Sequence, residues 1–477
     1  MGEINRGAAN SGGLYPVKAL QFGTGNFLRA HIDWMVDIMN EKVSFDSGIQ
    51  MVKLVPEGDV TAFNRQDGLY HVITRGISQG KQVDEVRLIT CVNGSTNPYT
   101  DFDEYLELGK LPDLKLVFSN STESGIEFLE EDIQPKGSPA LTFPGKLTQL
   151  LKVRYDHFNG DPDKGLCFVP CELINSNGIT LKNAIFDYAD LWDYPDGFSD
   201  WIDQHNHFAN TLVDRIVTGY PADDAKKIQE NIGHEDRYLT SCEPFHLLVI
   251  EGHEDIRKNF PADKAGLNVV FTDDITPYRT TKVRILNGAH TSMVAVGLLL
   301  GKDSVREAIE DDKIGPYIEQ EILEEICSVI PTENGEVRAF ASEVIDRFRN
   351  PFIHHELRAI SLNSISKFKV RVLPSILDYL RQRGMAPKRL SFAFACLIKL
   401  YSDTPEDITL NDDQAFIGFF RALKGKTSTE IVSSVLKNKD LWGQDLSGER
   451  LLQIMLESYL VILGRPNGVL DILKFLG

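Results

Sequence analysis

Residues 19–30 read ALQFGTGNFLRA, and the order of residue types in this stretch decides the fold. An apolar strand runs into Gly23-x-Gly25, and a helix begins at about Asn26. Gly23 permits a tight turn, and Gly25 leaves room for a pyrophosphate to approach the backbone at the positive end of the helix. Leu28 stands where a third glycine would allow close helix–strand packing, so two readings stay open: a plain turn, or the start of a dinucleotide site. In the second reading the cofactor-binding stretch comprises Ala19, Leu20, Gln21, Phe22, Gly23, Thr24, Gly25, Asn26, Phe27, Leu28, Arg29 and Ala30.

Outward from this stretch, an acidic residue is expected after the second strand, where it would bond to a ribose hydroxyl. Glu57 and Asp59 follow MVKLV; either would favour NAD over NADP by repelling the extra phosphate, and either also reads as part of a solvated loop. Ser119 and Asn120 open the loop SNSTESG, residues 119–125, after an apolar strand, at the carboxyl edge where open α/β sheets bind ligands. These small polar groups suit a nicotinamide, and Asn120 with Glu123 also has capping-box spacing.

The first 275 residues alternate short β-branched runs with amphipathic stretches, the pattern of a mainly parallel sheet covered by helices. Strands are expected at Val17–Phe22, Ile49–Val55, Leu114–Phe118, Leu166–Pro170 and Leu267–Phe271. LYHVITRGI and QVDEVRLITCV flank Ser78-Gln79-Gly80 and suggest a hairpin inserted in the parallel sheet. From Thr276 onward strand signals fade, so the expected division is an α/β domain over 1–275 and a mainly α-helical domain over 276–477. Thr276 and Pro277 suit a helix start. That helix would reach about Gly301 and span roughly 36 Å, long enough to link two domains and line a cleft.

Composition narrows the function. The chain has 477 residues, 42% hydrophobic, with 69 acidic against 50 basic side chains and a formal charge of −19. Such a charge, with no basic patch in the sequence, argues against nucleic-acid and anionic-membrane partners. The densest apolar run, Met293 to Leu300, is far below the ~18 residues needed to cross a bilayer. MGEINRGAANSGGLYPVK lacks the apolar core of a secretory signal. Six sparse cysteines suggest reduced thiols, and a cytoplasmic location is expected. Cys167 and Cys171 are four apart but lack further ligands at matching spacing, and the eleven histidines are scattered, so no metal is expected.

TPYRTTKVRILNGAHTSM, residues 276–293, carries the chemistry. Stepping about 100° per residue from Lys282 places Arg279 at about 60°, His290 at about 80° and Asn287 at about 140°, so all four can share a broad helix face. Reducing a ketone by hydride needs a proton donor for the new hydroxyl, and Lys282 is the candidate. Asn287 and His290 can donate hydrogen bonds to the oxygen. An amphipathic helix with an exposed lysine and a satisfied core histidine is the alternative at this point.

Lys282-x-x-x-x-Asn287-x-x-His290 and Gly23-x-Gly25-x-Phe27-x-Arg29 match the motifs of the polyol-specific long-chain, or mannitol dehydrogenase-like, family, which the chain resembles over nearly its full length. The segments that carry the resemblance include QFGTGNFLRA, QDGLY, VFSNSTESGI, PCELI, TLVDRIVTGYP, KVRILNGAHT, FRNPFIHHEL and KFKVRVLP. It implies a Rossmann-type domain followed by a helical domain, NAD as cofactor, catalysis without metal, and Lys282 as general acid/base. The implied substrate is a small sugar-derived acid. Two departures stand out. Leu173 replaces a second oxyanion asparagine, leaving Asn175 or Asn177 as substitutes, and Arg279 replaces a glutamate. Arg279 is a candidate for the substrate carboxylate, because a guanidinium offers two parallel donors. Lys367 and Arg371 are further substrate candidates, followed by Asn363 and His355. A non-catalytic dinucleotide-binding protein on the same fold is the competing class, against which the intact lysine, asparagine and histidine set argues.

Overall fold

In the computed structural model, which describes residues 2–58, 60–121, 125–133, 137–331 and 334–476, the chain divides into two units. One comprises residues 1–75 and 83–275, the other residues 76–82 and 276–477.

The first unit is built on a parallel sheet. Its strands are β1 (Val17–Phe22), β2 (Gly48–Val52), β5 (Val92–Thr96), β6 (Leu116–Ser119), β7 (Cys167–Pro170) and β8 (His207–Phe208), in the order β5-β2-β1-β6-β7-β8. Every pairing is parallel. Period-two alternation divides the strand residues between two cores. Leu20, Phe22, Val52, Val117 and Phe168 pack under Phe143, Leu147, Leu150, Leu181 and Ile185 on one face. Ala19, Met51, Leu116, Phe118 and Val169 pack on the other face against Leu28, Ile32, Met35, Val36 and Met39. Strands buried on both faces read as continuous apolar runs, which is why VKALQF and KLVFS were legible.

The hairpin of β3 (Tyr70–Ser78) and β4 (Lys81–Ile89) forms at the expected turn, but not inside the parallel sheet. It belongs to a separate sheet of order β10-β11-β3-β4, with β10 (Val217–Gly219) and β11 (Thr240–Cys242). The reason is register: β3 finds a parallel partner in β11, Val72 opposite Thr240, while β5 takes the place beside β2. The strand expected at 267–271 forms as β13 (Val269–Thr272), again outside the main sheet. It pairs in parallel with β12 (Leu247–Glu251), which runs antiparallel to β9 (Asn210–Asp214).

The second unit is helical. An unbroken helical run covers Thr276–Lys282, a wide π turn at Val283–Asn287, and Gly288–Leu299. Every residue from Gly288 to Leu298 is buried, because this segment is the hub of the core. It packs on helices Lys388–Ser402 and Ser364–Arg371, with Val294, Leu298, Ile365, Phe394 and Leu397 among the buried residues. Burying each such side chain stabilises the unit by roughly 1.5–3 kcal/mol. Among the described residues no helix is long and apolar enough to cross a membrane.

Candidate active site

The glycine pair sits at the carboxyl edge of β1, where the helical run from Asn26 to Val43 begins. The two glycines are there for different reasons. Gly23 has φ +119°, and a Cβ would lie 3.0 Å from the Asn120 carbonyl oxygen, so both torsion and space demand glycine. Gly25 has φ −70° and ψ 161°, a conformation any residue adopts, and a Cβ there would meet nothing within 4 Å. Its missing side chain therefore leaves open space in front of the amides that start the helix, a cradle that fits a pyrophosphate.

Of the twelve residues expected to line the cofactor, Thr24, Gly25, Asn26 and Phe27 are exposed or half-buried. Ala19, Leu20, Gln21, Phe22, Gly23, Leu28, Arg29 and Ala30 are buried. The Arg29 guanidinium donates to the Tyr238 carbonyl and to Asn26 Oδ1, both at 2.5 Å, and stacks over Tyr70 and Tyr238. It braces the turn and keeps the Asn26 amide oriented.

Glu57 is exposed in the loop after β2, and that loop is shaped by Lys53, whose ammonium binds the carbonyls of Pro56, Glu57 and Gly58. Asp59, the other acidic candidate, lies outside the described residues, as do Thr122, Glu123 and Ser124 of the loop after β6, so the capping pair proposed for Asn120 and Glu123 falls there too. What holds Ser119 and Asn120 is the strand next door. Asn120 Nδ2 donates to the Cys171 carbonyl at 2.8 Å, and the buried Glu172 carboxylate accepts from Ser119 Oγ, Ser121 N and Ser121 Oγ, each at 3.0 Å. Burial raises the Glu172 pKa, and these four groups' hydrogen bonding, that of its own backbone included, works against the rise.

Asn177, expected as a stand-in for the missing oxyanion asparagine, is placed differently. It is fully buried. Its amide nitrogen donates to Pro170 O, Glu172 O and Thr211 Oγ1, and its oxygen accepts from Gly178 N and Thr211 N. With its donors and acceptor engaged it clamps β7 to β9. Asn175 and Leu173 are exposed on the same loop, Leu173 at 67%.

In the second unit the helical run presents Arg279, Lys282 and Asn287 half-buried and His290 buried. The π turn alters the face derived from an ideal helix. One extra residue in a turn sets everything beyond it back by about 100°, so His290 falls about 20° from Lys282 instead of about 80°. Around His290 three other elements converge. Its ring lies 4.5 Å from Phe348, at the end of the helix Asn334–Phe348, and 4.8 Å edge-on from His355. The helix Ser364–Arg371 brings Lys367 and Arg371, and it can do so because position 288 is glycine: a Cβ there would sit 3.1 Å from the Arg371 carbonyl.

The electrostatics are one-sided. Burial holds the His290 imidazole well below its usual range, and His355, Arg347 and Arg371 push it the same way. His355 is lowered by burial and then by Lys367; Lys367 by burial and then by Arg371, against Asp412; Arg371 by burial. Lys367 donates to the Ile360 carbonyl at 2.9 Å. A neutral imidazole ringed by cations is suited to an anionic, hydroxyl-bearing ligand. Arg347 and Phe348 were not singled out from sequence, although both lie in or beside FRNPFIHHEL; no local periodicity links them to His290. Asn363 is exposed at the start of the helix that carries Lys367.

Residues 17–264 match the family model described as mannitol dehydrogenase Rossmann domain, and residues 274–462 the mannitol dehydrogenase C-terminal domain. An altronate oxidoreductase of Escherichia coli is 42% identical over 445 residues, covering 91% of this chain and 92% of that protein. One from Pectobacterium carotovorum is 43% identical over 450 residues, with the same coverage. Among solved structures, a substrate-free D-sorbitol dehydrogenase superposes with a TM-score of 0.81 at 22% identity, over 97% of this chain and 95% of that one. Mannitol 2-dehydrogenase of Pseudomonas fluorescens, in a ternary complex with NAD and D-mannitol, gives 0.67 at 22% identity over 99% of both chains.

Proposed function

The chain belongs to the mannitol dehydrogenase family, and from that premise we propose that it reduces D-tagaturonate to D-altronate with NADH, reversibly, in hexuronate breakdown. The single observation that carries the sugar-acid reading is the ring of cations about His290 in a chain of net charge −19. The relatives of 42–43% identity bear the matching name.

Bound NADH supplies hydride to the carbonyl carbon. Gly25 and the amides from Asn26 onward receive its pyrophosphate, Glu57 a ribose, and the Ser119–Asn120 loop the nicotinamide half. Lys282 donates a proton to the ketone oxygen in reduction and takes it back in oxidation. Asn287 and the neutral His290 donate hydrogen bonds to that oxygen; the imidazole must be uncharged to share its proton without surrendering it. Lys367 and Arg371 pair with the substrate carboxylate. Arg279 is the other candidate for that role, and an unchanged KM for tagaturonate in Arg279→Ala assigns the carboxylate to Lys367 and Arg371. The six cysteines are buried free thiols, in keeping with a reducing cytoplasm.

NADH consumption across a panel of keto-uronates, with Lys282→Ala as control, tests the reading. Tagaturonate is expected to turn over fastest. Faster turnover of fructuronate would reassign the substrate within the family, and no turnover of any uronate would leave a dinucleotide-binding protein.

A further inference from the structure

β8 is the short last strand of the parallel sheet, and its first residue, His207, pairs with Cys167 at the start of β7. His207 therefore lies at the amino edge of the sheet, opposite the edge that carries Gly23 and Gly25. His253, in the turn after β12, caps the helix Glu254–Asn259. The two imidazoles stack face to face, centroids 4.2 Å apart and planes within 5°. One carboxylate oxygen bridges their edges: Asp255 Oδ2 is 3.2 Å from His207 Nε2 and 3.1 Å from His253 Nδ1. The other carboxylate oxygen, Oδ1, is held by Lys258 Nζ at 2.9 Å.

We propose that His207, His253 and Asp255 form a surface site for a divalent transition-metal ion of the zinc class, which clips the edge strand β8 to the helix that follows β12. All three ligand atoms lie within 4.8 Å of one another, and among the described residues theirs is the grouping of three such side chains that does so. A tetrahedral ion with bonds of about 2.0–2.2 Å needs neighbouring ligands roughly 3.3–3.6 Å apart, so on binding each histidine–carboxylate pair opens by a few tenths of an ångström and the two imidazoles turn out of their parallel stack to aim both lone pairs at one ion. Two imidazoles and a carboxylate are the donor set that selects zinc and its neighbours over magnesium or calcium. The ion takes the place of the cap bond from Asp255 N–H to His253 Nδ1, 3.2 Å long, and water completes its shell. Lys258 orients the carboxylate from outside, as a hydrogen-bonded neighbour of a ligand does. The site ties together chain segments that meet only through folding, so its effect is on stability and not on hydride transfer.

The test uses the full chain after chelator treatment, with Co²⁺ as a visible probe and Zn²⁺ as competitor. One equivalent of Co²⁺ is expected to bind with the absorption of a four-coordinate site, to be displaced by Zn²⁺, and Zn²⁺ is expected to raise the unfolding temperature. Asp255→Asn, which keeps size and shape, and His253→Ala, at an exposed side chain, should each weaken binding by at least about 100-fold and abolish the zinc-dependent rise. Both variants, and the chelated wild type, should oxidise NADH at the wild-type rate. Absence of binding, a stoichiometry other than one, or binding that survives in both variants would overturn the site; loss of turnover on chelation would overturn its assignment as a structural clip.

Discussion

The two glycines of the cofactor turn can be told apart by adding one methyl group to each. At Gly23 the methyl meets a backbone with φ +119° and lies 3.0 Å from the Asn120 carbonyl. Holding an alanine in such a region costs roughly 1–3 kcal/mol, and the neighbour is backbone directly after β6, which cannot swing aside as a flexible side chain could. At about 2–4 °C per kcal/mol for a unit of this size, Gly23→Ala should lower the unfolding temperature by about 2–12 °C. At Gly25 the backbone is already one that alanine prefers, with φ −70°, and the methyl enters open space. Gly25→Ala should leave the unfolding temperature of the ligand-free protein unchanged. The methyl would, however, hold a pyrophosphate off the helix amides. Losing one hydrogen bond to a charged group costs about 1.5–3 kcal/mol, or about ten- to a hundredfold in NADH affinity at 1.4 kcal/mol per factor of ten. NADH fluorescence titration and thermal unfolding of both variants read the two effects separately. Wild-type NADH affinity in Gly25→Ala, with stability intact, would refute the placement of the cofactor.

Lys282→Ala should reduce kcat by about 10²–10⁴-fold. Because burial first, and then His355, Arg347 and Arg371, keep His290 below its ordinary range, its imidazole is already neutral at pH 7, and the neutral-to-alkaline limb of the kcat/KM profile should persist in His290→Gln. Asn177→Ala removes a buried amide with its five contacts and should cost about 1–3 kcal/mol of stability, read as a lowered unfolding temperature, with little change in KM for the sugar acid. Glu321, buried in the second unit, accepts hydrogen bonds from Tyr317 OH and Ser292 Oγ, and burial lifts its pKa to about 8 against the pull of those two hydroxyls. The folded state then holds a proton that the unfolded chain, titrating near 4.5, has released, so stability should fall as pH rises from about 4.5 to about 8. Glu321→Gln should flatten that slope in pH-dependent unfolding.

Features set by neighbours in sequence were readable from it. The strand, turn and helix start at 17–26, the long helix from Thr276 and the change from strand to helix periodicity all rest on local patterns. Features set by distant partners were not. Nothing near Tyr70 says that β3 will pair with β11 rather than enter the main sheet, and β9 to β12 are short strands whose mates lie far along the chain. Asn177 reads as a free polar group until Thr211 closes on it. The family pattern put Lys282, Asn287 and His290 on one helix, but the wall of Phe348 and His355 and the wide turn that shifts the angular position of His290 about the helix axis depend on packing. His207, His253 and Asp255 are likewise joined only by the fold.

The wide turn at Val283–Asn287 also separates two jobs within one rod. The segment beyond it is fixed on all sides by the core, and the segment before it is not. A residue removed from the turn would restore an ordinary α-helical pitch while leaving both flanks in phase with what they pack against. Val283–Asn287 is thus an adjustable joint: Asn287 can be re-aimed there by insertion or deletion, with the amine of Lys282 and the imidazole of His290 left in their seats.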